Sequence, residues 1–225
     1  MPIYKKVDKD FFKHWSHEMA YILGLFAADG YITINNRGGQ FWNIQIIDKK
    51  LVETIKKTVG AEHKIGIRKR AAHESLIYRL QIGSKEMCGD LRTLGFDKRK
   101  TKNLAIPYVP KKYFSDFVRG YFDGDGNVWV GYIHRERRTK LLALRVVFTS
   151  CSIDFLKKLR DRLEKHGVYR GVLRKERGNY YRLIYSIHGS LKLFDFMYNH
   201  QESSKSDLFL QRKKRTFEDY IKMRL

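Results

Sequence analysis

Acidic residues, cysteine and proline are all scarce in this sequence of 225 residues. Only 24 Asp and Glu stand against 46 Lys and Arg, so the formal charge at pH 7 is +22. The excess divides evenly, with +11 in residues 1–112 and +11 in residues 113–225, which excludes a basic tail on a neutral domain. This balance is typical of proteins that bind polyanions. Because 43% of the residues are apolar, we expect a folded chain rather than a disordered one.

Cysteine and long hydrophobic runs give no support for disulfides, zinc or membrane spans. Cys88 and Cys151 have no second Cys or His at the spacing of metal ligands. The longest apolar run covers residues 20–28, far short of the roughly 20 residues that span a bilayer. The first residues mix acids and bases and do not resemble a secretory signal. We therefore expect an intracellular protein, located in the cytoplasm or nucleoid, or in an organelle if its gene is organellar.

An internal repeat organises the sequence. Residues 22–30 read ILGLFAADG and residues 118–126 read VRGYFDGDG, with Gly, Phe, Asp and Gly matching at the third, fifth, eighth and ninth places. Each block precedes two alternating runs, an amphipathic stretch that ends at Gly60 or Gly167, and a second pair of strands that leads into a helix. The pattern predicts an α+β fold with two pseudo-symmetric αββαββα halves and antiparallel sheets.

Local signals predict the element boundaries. The first helix should begin after the N-cap Ser16 and end at Asp29, and Asp48 and Ser84 should cap two later helices. The predicted strands are 31–35, 40–47, 63–70 and 75–83 in the first half, and 127–133, 142–149, 169–175 and 179–187 in the second. Two of the three prolines fall in residues 97–114, which we interpret as the linker. The half-domains are accordingly predicted as 1–104 and 105–225.

Small residues recur four apart within each block and predict a close helix pair. Gly24 and Ala28 share one helix face, and so do Gly120 and Gly124. Side chains this small allow two helix axes to approach, which would bring together the acids at the helix ends. Each acid would face the negative end of a helix dipole, and the two would repel each other unless a cation lay between them.

A divalent metal resolves that conflict, and Mg²⁺ suits hard oxygen ligands that also bind phosphate. The predicted metal-site residues are Asp29, Asp125 and the residue before each, Ala28 and Gly124. A simpler interpretation of one Asp-Gly pair is a helix stop signal, but two copies at equivalent repeat positions favour the metal site. An EF-hand at residues 123–127 is rejected because Val128 and His134 stand where Gly and Glu are needed.

The two blocks resemble the signature motifs of the LAGLIDADG homing endonuclease family, in the type that carries both motifs on one chain. The flanks FFKHWSHEMAY and KTKNLAIPYVPKKYFSDF resemble the family as well, as does the predicted element order. The resemblance implies stacked motif helices, saddle-shaped sheets over the DNA major groove, and metal-dependent cleavage of both strands that leaves 3′ overhangs. The sixth place holds Ala27 in one block and Asp123 in the other, but both blocks keep the acid at the eighth place.

The resemblance also implies a Gln or Lys on neighbouring strands that orders water around the metal. Gln45 and, behind it, Gln81 occupy such places in the first half, with Thr149 and Ser186 in the parallel places of the second half. The expected cofactor is Mg²⁺; Mn²⁺ should substitute, and Ca²⁺ should support binding without cleavage. The expected partner is a long, asymmetric double-stranded DNA site, bound by a monomer.

Alternation within the predicted strands gives each sheet an apolar and a polar face. Arg suits guanine edges, Asn and Gln suit adenine, and the surrounding Lys and Arg contact phosphates. The predicted DNA contacts are Tyr31, Thr33, Asn35, Asn43, Gln45, Lys64, Arg68, Arg70, Arg79, Gln81, Arg145, Thr149, Arg170 and Arg182. The basic run at residues 211–215 is interpreted as a helix end or a phosphate contact.

Two other classes of function remain open on the sequence. An intron RNA maturase, or a DNA-binding protein without nuclease activity, would use the same scaffold and the same basic sheets. A ribosomal or architectural protein would explain the charge but not the paired helices. The acids at Asp29 and Asp125 favour the nuclease, because a pure binder gains nothing from two repelling carboxylates beside phosphates.

Overall fold

The fold consists of two halves with the same order of elements, each containing a four-stranded antiparallel sheet. A computed structural model describes residues 5–69, 75–96, 104–134, 136, 138–199 and 207–224. The predicted α+β class and the repeated αββαββα order are confirmed. No helix among these residues has the length and apolar character needed to cross a bilayer.

The described residues of the first half form three helices and four strands with the sheet order β1-β2-β4-β3. Its elements are α1 (His17–Asp29), β1 (Gly30–Ile34), β2 (Gln40–Ile46), α2 (Lys49–Thr58), β3 (Ile65–Arg68), β4 (Ile77–Gly83) and α3 (Lys85–Thr93).

The second half repeats this order with the sheet β5-β6-β8-β7 and adds one helix that the sequence pattern did not predict. A 3₁₀ turn (Lys111–Tyr113) leads into α4 (Phe114–Asp125), β5 (Gly126–Ile133), β6 (Leu141–Ser150), α5 (Ile153–Glu164), β7 (Val172–Lys175), β8 (Tyr181–Tyr185), α6 (Ile187–Tyr198) and the additional α7 (Gln211–Lys222).

The predicted helix caps are confirmed. The hydroxyl of Ser16 accepts a hydrogen bond from the amide of Met19, and Asp48 and Ser84 cap α2 and α3 in the same way. Gly60 and Gly167 follow α2 and α5 with φ of +60° and +81°, the left-handed conformation that ends many helices. Local chemistry therefore sets these five helix ends.

Four predicted strands are at least two residues shorter in the structure. Those predicted at 75–83 and 179–187 extend from Ile77 to Gly83 and from Tyr181 to Tyr185. The strand predicted at 63–70 extends only from Ile65 to Arg68, and Arg70 lies outside the described residues. The strand predicted at 169–175 begins only at Val172, because Arg170 has a φ of +64° that interrupts the extended backbone.

The far ends of α1 and α4 are joined by a buried ion-pair network. The carboxylate of Asp116 lies 2.7 Å from Nδ1 of His17 and accepts a 2.7 Å hydrogen bond from Nη2 of Arg119. Arg119 also donates to the main-chain oxygens of Met197 and Leu208. This network fixes the two helices at the end opposite their acids and attaches the segment that precedes α7.

Candidate active site and nucleic-acid interface

The helices α1 and α4 pack with almost no side-chain layer between them. A Cβ atom added at Gly24 would lie 2.0 Å from the main-chain oxygen of Phe117, and one at Gly120 would lie 2.0 Å from that of Tyr21. Glycine is therefore required at both crossing points, as the spacing of small residues predicted.

The same close packing brings Asp29 to the end of α4. A Cβ atom added at Gly124 would lie 2.3 Å from Cβ of Ala28 and 2.9 Å from Oδ2 of Asp29, so that carboxylate lies beside the residue that precedes Asp125. The negative charges of Asp125 and Asp29 both help to raise the pKa of the Tyr121 phenol, after burial as the main cause. The two helix ends thus converge with their acids on the same side.

Two cavities flank the acid pair. One, of about 260 Å³, is lined by Ala27, Ala28, Leu104, Asp125, Thr149, Ser150 and Cys151. The other, of about 360 Å³, is lined by Gly124, Gly126, Asn127, Val128, Arg212, Lys213 and Thr216. The first cavity therefore leaves space for a reacting group or a bound ion beside Asp125.

The donor set fits a divalent ion that is only partly enclosed by protein. Asp29 and Asp125 offer carboxylate oxygens, and the main-chain oxygens of Ala28 and Gly124 are the neighbouring hard donors. Within the described part of the chain, no three His, Cys, Asp or Glu side chains form a complete metal cage. The remaining ligands would have to be water and phosphate oxygens, as is common for Mg²⁺.

Lys213 is a buried lysine beside the acid pair that the sequence interpretation missed. Its ammonium group donates to the main-chain oxygens of Phe122 (2.6 Å), Asp123 (2.9 Å) and Gly126 (2.6 Å), at the carboxyl end of α4. Desolvation lowers the pKa of Lys213 to about 8, although the nearby charges of Asp123, Asp29 and Asp125 act in the opposite direction.

Asp123 anchors the start of α7 and thereby helps to hold Lys213 in place. Oδ2 of Asp123 accepts hydrogen bonds from the hydroxyl of Tyr21 (2.7 Å) and from the amide of Leu210 (2.8 Å), three residues before Lys213. Burial raises the pKa of Asp123. Asp123, at the sixth place of the second block, thus connects α1 and α4 to the start of α7. Ala27, at the same place in the first block, has no polar group that could do this.

Two of the predicted water-ordering residues, Gln45 and Thr149, lie opposite the acids in the strand register. The register pairs Gly30 with Ile44, so Gln45 comes opposite the position of Asp29, where its amide contacts the hydroxyl of Tyr31. Thr149 holds the equivalent place in the second half and lines a cavity with Asp125.

Gln81 and Ser186 do not join that site. Gln81 lies two strands from β1 and lines a separate cavity with Lys5 and His63, so the structure does not bring it to the acid pair. Ser186 lies beyond β8 as the residue before α6, and the register makes Ile184 the counterpart of Gln81.

The first sheet presents a mainly polar outward face, by which we mean the face that the helices do not cover. Tyr31, Thr33, Gln45, Arg68, Arg79 and Gln81 lie on it, as predicted from alternation. Lys64 is exposed just before β3. Exposed Asn35 instead organises the hairpin, because its side-chain oxygen Oδ1 accepts hydrogen bonds from the main-chain amides of Arg37 and Gly39.

The prediction that Asn43 reads DNA is wrong in this structure. Its side chain is fully buried, and its amide nitrogen lies within 3.4 Å of acceptors on Tyr31, Thr33 and Phe41. The larger neighbours on adjacent strands cover it. Asn43 therefore supports the side chains of the outward face rather than presenting itself.

The second sheet carries its own set of basic side chains. Arg145 and Arg182 lie on the outward face, and Arg182 forms an ion pair of 3.3 Å with Glu176. Arg170 is exposed in the loop before β7. The outward residues that the sequence missed include Trp129, which is 41% exposed with Arg145 over its ring, and Arg174, which lies opposite Arg182 in the strand register.

The comparison with family models gives two matches. A model described as a LAGLIDADG-like domain matches residues 16–90 and 115–195.

Among curated proteins, the chain is 28% identical over 155 residues to a probable translation initiation factor IF-2 of Thermococcus kodakarensis, covering 65% of this chain and 12% of that protein. It is 25% identical over 191 residues to an uncharacterised protein of Methanocaldococcus jannaschii, covering 77% of this chain and 62% of that protein. The chain thus spans less than two thirds of the length of either relative.

Solved structures share the fold at low identity. The LAGLIDADG meganuclease I-AabMI bound to uncleaved DNA superposes with a TM-score of 0.58 and 16% identity, covering 90% of this chain and 89% of that chain. The I-SmaMI LAGLIDADG homing endonuclease bound to cleaved DNA gives 0.60 and 12%, covering 93% and 89%. I-SmaMI bound to an uncleaved DNA target in the presence of calcium ions gives 0.58 and 12%, covering 93% and 90%.

The two domain matches coincide with the two structural halves and include both acid-bearing helices. With one copy of the domain in each half, the chain belongs to the LAGLIDADG family.

Proposed function

We propose that the chain is a site-specific endonuclease that binds double-stranded DNA as a monomer and cleaves both strands, leaving 3′ overhangs. The observation that carries the proposal is the close packing of α1 and α4, which puts the Asp29 carboxylate beside Gly124, the residue before Asp125, between two sheets whose outward faces carry arginine side chains. The DNA complexes of the structural neighbours support DNA as the partner.

The acid pair would hold a divalent metal, with Mg²⁺ as the expected ion and Mn²⁺ as a substitute. A bound metal would supply charge stabilisation at the phosphate that is cleaved. The carboxylates of Asp29 and Asp125, with the main-chain oxygens of Ala28 and Gly124, are the ligands that the chain offers. The calcium complex of I-SmaMI supports a divalent site in this fold.

The surrounding residues would orient the reaction. Gln45 and Thr149, each opposite the position of one acid in the strand register, would order water at the scissile phosphates. Lys213 holds the last turn of α4 in place and keeps a positive charge beside the acids, which favours an anionic phosphate at the site. The basic outward faces bind the backbone on either side and keep the duplex over the acids.

The test is cleavage of a duplex library that includes the genomic flanks of the gene. With Mg²⁺ we expect a defined product with 3′ overhangs, and with Ca²⁺ in place of Mg²⁺ we expect binding without cleavage. Absence of any metal-dependent cut in the whole library would contradict the proposal. Metal-dependent cleavage at random positions would retain the nuclease and overturn its site specificity.

A further inference from the structure

The two sheets can be compared position by position, because each begins directly after its acid. Gly30 follows Asp29 and pairs with Ile44, while Gly126 follows Asp125 and pairs with Phe148. This common origin makes each row of side chains across one outward face equivalent to a row across the other. Equivalent rows can then be compared by their chemistry.

In the first sheet, the row next to the acid is polar. It crosses β1, β2 and β4 as Tyr31, Asn43 and Gln81. Tyr31 and Gln81 are half-buried, and Asn43 is covered beneath them. Hydroxyl and amide groups are therefore what this row offers to a ligand.

In the second sheet, the equivalent row is apolar after its first residue. Asn127 on β5 pairs with Val147 on β6, Val147 pairs with Ile184 on β8, and Ile184 pairs with Val172 on β7. Val147 and Ile184 are half-buried, and Val172 is 51% exposed. We call Val147, Ile184 and Val172 the apolar row.

The apolar row does not belong to the protein core. The opposite face of the same strands supplies the core, through Leu144, Val146, Phe148 and Leu183, all of them buried. The apolar row is instead an exposed strip within the face that we assign to DNA.

Basic side chains border the strip on both sides. The row nearer the acids runs from Thr149 through Arg182 to Arg174, and the row on the other side pairs Arg145 with Trp129. This positive border suits the phosphates of a polyanion and not an apolar partner. The proposed function makes a DNA duplex the occupant to which we commit.

We propose that the apolar row reads thymine, so that the half-site under the second sheet presents thymine 5-methyl groups to Val147, Ile184 and Val172. Thymine is the only base with an apolar group in the major groove. Any other base edge placed there would lose water from its donors or acceptors without gaining a partner, which disfavours it. The proposal rests on DNA binding by the proposed function but does not depend on cleavage.

The test begins with selection of binding sites from a randomised duplex library in Ca²⁺, followed by sequencing. We expect one half of the selected site to be enriched in thymine at one or more positions. Replacing those thymidines by deoxyuridine removes only the methyl group, and should weaken binding about fourfold for each methyl that contacts the row. Deoxyuridine in the other half-site serves as the control.

Variants of the row connect the effect to these residues. Val147→Ser and Ile184→Ser remove the methyl groups from two outward positions that lie outside the protein core, so the strands should fold as before. Each should reduce the preference for thymidine over deoxyuridine in that half-site only. A matched control outside the predicted DNA contacts, Thr93→Val at the exposed end of α3, should leave that preference unchanged.

The outcomes separate the two proposals. If no sequence is enriched, site-specific DNA binding fails and the thymine inference fails with it. If a site is enriched but deoxyuridine binds as well as thymidine, or the row variants keep the preference, the proposed function stands and the inference is overturned.

Discussion

Lys213 departs most clearly from the usual behaviour of its residue type. Lysine is seldom buried, yet this side chain is 6% exposed and donates only to main-chain oxygens. Its location was detectable in the sequence, because it lies four residues before Phe217 and seven before Tyr220 on the apolar face of α7. The surrounding run of basic residues concealed that periodicity.

The burial of Lys213 makes stability depend on pH. The folded-state pKa of about 8 lies below the unfolded value, so the unfolded chain binds more protons at intermediate pH. The free-energy cost of burying the charged ammonium group therefore has its full size below pH 8. This cost becomes smaller as the pH rises above 8. Stability should increase relative to a Lys213→Met variant by roughly 1.4 kcal/mol per pH unit above pH 8.

The measurement is urea denaturation of both proteins from pH 7 to pH 10. The difference between them isolates Lys213 from all other titrating groups, which the two proteins share. A difference that stays constant over this range would show that Lys213 keeps an ordinary pKa in the folded chain.

At the scale of the elements, local signals predicted more than cross-strand contacts did. Ser16, Asp48 and Ser84 were identified as caps because a cap depends on an amide two or three residues away. The burial of Asn43 was not predictable, because its covering neighbours come from paired strands. Alternation assigned Asn43 to the correct face but could not show that the face is covered there.

The crossing of α1 and α4 should tolerate no added side chain at its centre. Gly24→Ala or Gly120→Ala would place a Cβ atom 2.0 Å from a main-chain oxygen of the other helix. The helices would have to separate, and we expect a loss of about 3 kcal/mol or more in the free energy of unfolding.

A third glycine supplies the control for this prediction. Gly89 lies within α3 and has no atom within 4 Å of an added Cβ, so Gly89→Ala should stabilise the protein by up to about 1 kcal/mol. Thermal denaturation of the three variants measures both effects. Equal small changes in all three would contradict the close helix crossing.

At the scale of the whole molecule, duplication accounts for what the sequence predicted and divergence accounts for what it missed. The repeated blocks predicted two equivalent halves and the pairing of their helices, because both copies kept Gly and Asp at equivalent places. The outward faces were assumed to share one polarity, yet the second sheet carries Trp129, Val147, Ile184 and Val172 there. Two halves that differ in this way suit a single chain on an asymmetric target.

The central claim is that Asp29 and Asp125 act together on DNA that the rest of the molecule binds. The most direct test measures double-strand cleavage and DNA affinity in parallel for Asp29→Asn and Asp125→Asn. Asp161→Asn, on the exposed side of α5, serves as the control for loss of one negative charge. The account predicts that both active-site variants lose double-strand cleavage and keep or gain affinity, because removing an anion from a polyanion interface does not weaken attraction, while Asp161→Asn cleaves normally. Cleavage of both strands at the normal rate by either active-site variant would contradict it.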